Sequence, residues 1–177
     1  NKILINPESI SLAISKPAAK LTQNAYIISD NQKIKLIREV LKEKKQSHIL
    51  IFSSSIKSVK EITKTLSKAG MKASEMHSGL QQEKREKTIR DFKNKKIKIL
   101  VATDILSRGI DIKGIELVIN YEVPNDVEDY IHRIGRTARA DKKGQAITFI
   151  TPKQIKKFMK IEKLIEKKIP KLKLPKE

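Results

Sequence analysis

The sequence predicts an α/β domain: a doubly wound, mostly parallel sheet with a C-terminal amphipathic helix. Three observations predict it. Short continuous apolar runs, Ile49-Leu50-Ile51-Phe52 and Ile97 to Ala102 broken by Lys98, have strand length without polar alternation, the mark of strands covered on both faces. Stretches with helical apolar spacing separate such runs along the chain, as crossover helices do. Finally, 177 residues with 38% hydrophobic content can bury one such core without metal or disulfide staples, and the chain contains no cysteine.

Residues 1–24 read as a lead-in or interdomain linker, because Pro7, Pro17 and small polar residues interrupt it, although Ile10, Leu12 and Ile14 alternate with Ser as a short strand would. The domain proper is placed at 25–151. Tyr26-Ile27-Ile28 predicts a short strand, Asp30 an N-cap, and Ile34, Ile37 and Leu41 a helix. Ile49 to Phe52 is a strand, and Val59, Ile62, Leu66 and Ala69 form a helical stripe that Gly70 can end. Met71 to Met76 is a weaker strand, and Arg85 to Phe92 lies in a helix with Ile89 and Phe92 inward. Ile97 to Ala102 and Leu117 to Ile119 are strands, Val127 to Ile134 is a helix with Tyr130 and Ile131 inward, and Ala146 to Ile150 is the last strand. Residues 152–177 form a basic helix and tail, with Ile155, Phe158, Met159, Leu164 and Ile165 as the apolar stripe before Pro170.

Charge narrows the function. With 39 Lys+Arg against 20 Asp+Glu the chain carries +19, which attracts polyanions, nucleic acid or acidic membrane surfaces alike. The segment 153–177 holds +7 of this; alone it reads equally as a solvated basic helix. Without cysteine, disulfide frameworks, Cys-based zinc sites and thiol catalysis are excluded. The apolar runs fall far short of the roughly 18 residues a membrane span needs. The start, Asn1-Lys2-Ile3-Leu4, has neither an initiator Met nor a signal-peptide layout, and predicts a fragment of a longer cytosolic protein.

In a doubly wound sheet, ligands bind beyond the carboxyl ends of the strands. There stand Ser53-Ser54-Ser55, His77-Ser78-Gly79, and Thr103-Asp104 leading to Arg108-Gly109-Ile110-Asp111. Small hydroxyl residues and glycines let backbone approach phosphate closely, though Ser and Thr also cap helices at such places. Further on lies His132-Arg133-Ile134-Gly135-Arg136-Thr137-Ala138-Arg139, three arginines at a spacing that would line one face of a helix ending near Gly135. Only seven of the 39 basic residues are Arg, yet three fall within seven positions, and Arg's planar fork suits phosphate where a Lys point charge does not. Gly109 and Gly114 have the glycine spacing of a P-loop, but Ile115 follows where Lys is required, and no acidic cluster suited to Mg²⁺ is present. The chain presents phosphate-binding arginines without the rest of a nucleotide-hydrolysing site.

These residues resemble the C-terminal RecA-like domain of DEAD-box ATP-dependent RNA helicases, within helicase superfamily 2 and the P-loop NTPase fold. Ile49 to Ser55 resembles motif IV, His77 with Gln82 and Arg85 motif IVa, Thr103 to Asp111 motif V, and His132 to Arg139 motif VI. The likeness runs in order from about Gln23 to Ile150. Ser78 stands where many members have Gly, and Ala138 replaces the usual second Gly of motif VI.

The resemblance implies the C-terminal half of an enzyme, an ATP-dependent RNA helicase that opens short duplexes locally, with this fragment alone inactive. Its partners are RNA, held sequence-nonspecifically by backbone contacts, and the N-terminal RecA-like domain of the same chain, which holds most of the ATP and its Mg²⁺. Arg136 and Arg139 are implied as catalytic arginine fingers on ATP, Gly109 and Asp111 as further ATP contacts, and Asp111 at the ribose. Ser55, Arg85, Thr103, Arg108 and Gly109 are implied at the RNA backbone. His132 and Arg133 are implied in interdomain coupling, Arg133 chiefly bracing its own domain. No metal ligand is assigned and no membrane contact implied. The compact motif core and plain tail imply a bacterial, cytoplasmic protein. Two other readings stay open: an ATP-independent basic RNA-binding or annealing module, and half of a superfamily 2 DNA helicase.

Overall fold

Alternate residues of the central strands go to opposite faces of one sheet, and that alternation organises the molecule. The computed structural model describes residues 20–42, 48–104, 112–138 and 143–175. Its strands are β1 Leu21–Ile27, β2 Ile49–Phe52, β3 Ala73–Met76, β4 Ile99–Ala102, β5 Leu117–Asn120 and β6 Gly144–Ile150. They form one six-stranded sheet in the order β1-β6-β5-β2-β4-β3, with every pairing parallel. The helices are α1 Asp30–Lys42, α2 Ile56–Lys68, α3 Gln82–Lys93, α4 Val127–Ile134 and α5 Ile155–Leu164.

Strands β2, β4 and β5 are buried at every position. Ile49, Ile51, Ile99, Val101, Leu117 and Ile119 pack with Ile37 and Leu41 of α1 and Val59, Ile62 and Leu66 of α2. Leu50, Phe52, Leu100, Ala102 and Val118 pack on the other face with Phe92 of α3. A third cluster joins Tyr130 and Ile134 of α4 to Phe158 and Ile161 of α5 across Ala146 and Ile150. Both faces are therefore covered, as continuous apolar strands require.

Gly70 ends α2 as its spacing predicts. Its φ is +76°, its N–H donates to Ser67 O at 3.0 Å, and Met71 N–H reaches back to Leu66 O at 3.1 Å. This is the paired termination that favours glycine after a helix.

Three local expectations are corrected here. Strand β1 starts at Leu21 rather than Tyr26, pairing with β6 along its whole length; the buried Gln23 within it accepts a hydrogen bond at Oε1 from Tyr130 Oη at 2.7 Å. Asp30 is the first residue of α1, not its cap, and pairs with the buried Lys33 Nζ at 2.8 Å. In α5 the inward stripe is Phe158, Ile161 and Ile165, whereas Met159 and Leu164 are 51% and 54% exposed. The buried Glu162 shares the stripe, accepting from Ile169 N–H at 2.7 Å and pairing with Lys171.

The tail docks on the domain. Ile169 is buried, Ala25 N–H donates to Pro170 O at 2.9 Å, and Leu172 N–H donates to Ala25 O at 2.8 Å. A parallel bridge pairs Lys171 with Ala25, so the tail covers part of the open edge of β1.

Candidate functional site

Strands β2, β4 and β3 are neighbours and parallel, so Phe52, Ala102 and Met76 end level at one edge of the sheet. Parallel neighbours lie about 4.8 Å apart, so Ser53, Thr103 and His77 share a strip about 10 Å wide. Backbone bonds extend the ladder past the strands: Ser53 N–H to Ala102 O at 2.9 Å, Thr103 N–H to Met76 O at 3.1 Å, and Tyr121 N–H to Phe52 O at 2.9 Å. Three of the predicted strand-end segments are thereby brought together on a rigid base.

Ser55 is the N-cap of α2, its Oγ accepting from Ser58 N–H at 3.1 Å. Capping uses a lone pair only, so the exposed hydroxyl keeps its hydrogen to donate outward, and the capping and binding roles coexist at one oxygen. Ser53, fully buried, donates to Glu122 Oε1 at 3.1 Å, and Ser54 N–H donates to Glu122 Oε2 at 3.1 Å. Burial raises the Glu122 pKa, against the Ser54 and Ser53 hydrogen bonds and the Lys33 and Arg133 charges, which lower it. Its neighbour Tyr121 is pushed up to about 12, first by burial and then by the Glu122 charge.

Beyond β3, the buried His77 accepts a hydrogen bond at Nδ1 from Gly79 N–H at 3.1 Å. That assigns the ring proton to Nε2, which faces Glu75 Oε2 at 3.6 Å. Arg85, half-buried on α3, donates through Nη2 to Gln82 Oε1. Thr103 is half-buried at the end of β4.

Asp126 caps α4, its Oδ1 accepting from Asp129 N–H at 2.8 Å. The helix carries His132, exposed, and Arg133, 3% exposed. Arg133 forms a fork with Asp104, Nε to Oδ1 and Nη2 to Oδ2, both at 2.7 Å, and its guanidinium lies 5.3 Å from the centre of the Phe52 ring. Arg133 therefore ties α4 to the ends of β4 and β2 within the domain.

Contrary to the expectation from their spacing, Arg133 and Arg136 do not continue one helical face. The helix ends at Ile134, with Gly135 N–H on Ile131 O at 2.8 Å, and the chain then turns beneath Ile115. Thr137 Oγ1 donates to Ile115 O at 2.6 Å, and a parallel bridge joins the two residues. Arg136, half-buried, is thus presented from a turn. Ala138 takes φ +55°, the left-handed region that favours glycine. Gly144 packs so closely that a Cβ there would meet Ala138 N and Thr137 Oγ1 at 2.4 Å each.

Arg108, Gly109, Asp111 and Arg139 lie outside the described residues. Among the described residues, no group of three or more His, Cys, Asp or Glu could hold a metal ion, and no helix is long and apolar enough to cross a membrane. Sequence reasoning gave no role to Asp104 and passed over Glu122. A carboxylate two residues past the end of an apolar strand, in so basic a chain, is the signal that could have found both.

Residues 32–141 match the family described as Helicase conserved C-terminal domain. The DEAD-box ATP-dependent RNA helicase RhpA of Helicobacter pylori is 36% identical over 176 residues, covering 99% of this chain and 36% of the relative. A DEAD box protein from the hyperthermophile Methanococcus jannaschii superposes with a TM-score of 0.82 at 43% identity, over 88% of this chain and 42% of that one. S. cerevisiae Dbp5 bound to RNA and ADP BeF3 superposes with a TM-score of 0.83 at 27% identity, over 88% and 42% of the two chains. The chain thus spans 36% to 42% of the length of these relatives.

Proposed function

The chain belongs to the helicase conserved C-terminal domain family, as the RecA-like C-terminal domain of the DEAD-box type, and on that premise we propose that it is half of an ATP-dependent RNA helicase. The other half is an N-terminal RecA-like domain that carries most of the nucleotide contacts and holds the Mg²⁺. The observation that carries the reading is the shared edge: Thr103 and the Ser55 cap of α2 follow the level ends of β4 and β2, and Arg133 binds the motif VI helix to that same edge. A strand of RNA and an ATP phosphate could then be addressed from one rigid base.

In this mechanism Ser55, Thr103, Arg85, Arg108 and Gly109 hold the RNA sugar-phosphate backbone, which fixes position without reading sequence. Gly109 and Asp111 face the nucleotide, Asp111 at the ribose. Arg136 and Arg139 meet the γ-phosphoryl group only when the two domains close. Their guanidinium forks spread the charge of the transferring group, an effect worth about 10³ to 10⁵ in rate where it has been isolated. His132 and Arg133 pass closure between nucleotide and RNA. ATP and RNA together close the domains, bend one strand and open a short duplex; hydrolysis releases it. The site of action is the cytoplasm, and a bacterial source suits the compact motif core.

The test uses the protein with both helicase domains. Oligoribonucleotide should stimulate its ATPase, and the same sequence as DNA should not. Equal stimulation by DNA would move the assignment to a DNA helicase. RNA binding with no ATP turnover would favour the annealing module.

A further inference from the structure

Glu122 follows the end of β5, and it gives both carboxylate oxygens to a neighbouring strand's loop rather than to its own. Oε2 accepts from Ser54 N–H and Oε1 from Ser53 Oγ, each at 3.1 Å. The Ser53 hydroxyl also lies 2.7 Å from Ser58 Oγ. With one hydrogen, which it gives to the carboxylate, Ser53 accepts from Ser58. Ser58 N–H in turn donates to Ser55 Oγ. A hydrogen-bonded chain therefore runs from Glu122 through Ser53 and Ser58 to the hydroxyl of Ser55.

The far side of Glu122 is equally fixed. Lys157 Nζ from α5 donates to Val123 O at 3.3 Å and to Asn125 Oδ1 at 3.0 Å, and Asp126 then caps α4. The carboxylate stands between Lys33 of α1 and Arg133 of α4, which favour its charge while burial opposes it. Both oxygens accept here. Glutamine keeps one acceptor for the Ser54 N–H and turns an NH₂ toward the Ser53 hydroxyl, which accepts it and passes its own hydrogen to Ser58, so the variant loses the carboxylate's charge-assisted bond and reverses the chain.

We propose that Glu122 is a positioning residue for RNA binding: it holds Ser53 and Ser54 so that Ser55 presents its hydroxyl to the RNA backbone. The assignment rests on the function proposed above and adds to it a residue outside motifs IV, IVa, V and VI.

The test measures RNA half-saturation and maximal RNA-stimulated ATPase of the two-domain protein, with melting temperature alongside. Glu122→Gln should raise the RNA half-saturation about tenfold, the effect of one lost charge-assisted hydrogen bond. Maximal turnover should stay within about twofold, because the phosphoryl chemistry is left intact. Glu122→Asp, which keeps two acceptors on a shorter arm, should fall between wild type and Gln. Ser55→Ala should weaken RNA in the wild type but add less than about twofold to Glu122→Gln, since both act through one hydroxyl. Unchanged half-saturation in the Gln variant, full multiplicativity of the two substitutions, or a loss of maximal turnover alone would overturn the assignment. If Gln does not fold, the Asp variant decides by the same criterion. Wild-type protein that gives no RNA-stimulated turnover would overturn the helicase reading itself, an outcome distinct from an active wild type with an indifferent Glu122.

Discussion

The carboxyl edge of the sheet and the α5–tail surface are both rich in charge, and they use it in opposite ways. At the edge, Arg133 is held by Asp104 at two points and Glu122 by two donors, in surroundings that burial makes unforgiving. Along α5 and the tail, Lys153, Lys156, Lys160, Lys163, Lys167 and Lys168 stand exposed, where a charge is solvated and any cation serves. The tail has its own buried acid, Glu162, but that group binds the chain's end to the domain. Position matters where charge is buried, and only sign matters where it is not.

The sharpest way to break this contrast is to change Arg without changing charge. Arg136→Lys in the two-domain protein should cut maximal ATP turnover at least about a hundredfold, by loss of the fork at the phosphoryl group. Lys156→Arg on α5 should leave turnover within about twofold, as an exposed charge does. Near-equal effects would erase the distinction between the regions.

Next in size is Asp104→Ala. It strands the guanidinium of Arg133, and chemical denaturation should show a loss of about 3 kcal/mol, toward the low end for buried pairs. The reason for the low end is that Asp104 keeps 40% exposure, so water can partly replace it. Glu162→Ala, the counterpart in the other region, should cost about 2 kcal/mol, because Ile169 N–H loses its buried acceptor. Hydrogen exchange should then speed at the Ala25 and Leu172 amides, while RNA-stimulated turnover holds. Smallest is Ala138→Gly, which relieves the φ +55° backbone and should raise stability by about 1 kcal/mol in the same denaturation assay.

Most of the fold was legible because its signals are redundant. Ile49 to Phe52 and Ile97 to Ala102 read as buried strands, the second beginning at Ile99 in the structure, and Gly70 marks the end of α2 both by composition and by conformation. Two of the failures occurred where a polar group is buried against a partner outside its own element. Gln23 lies in a strand with its Oε1 bonded to Tyr130, 107 positions away. Glu162 occupies the inward stripe of α5, held by Ile169 N–H and Lys171, while Met159 and Leu164 face outward. The three-residue arginine spacing suggested one helical face, but Gly135 and the Thr137–Ile115 bond end the helix first. Ser55, Thr103 and Arg133 stood out as residue types at strand ends and in a run of arginines. Glu122 and Asp104 did not, since their meaning comes from which neighbours the topology brings to them.

If this edge does chemistry only when a second domain closes on it, phosphate release with saturating oligoribonucleotide should show it. The 177-residue chain alone should release no more phosphate than buffer, and the same chain joined to its N-terminal domain should turn over ATP in an RNA-dependent way. RNA-stimulated hydrolysis by the chain alone, or a joined protein indifferent to RNA, would contradict the account.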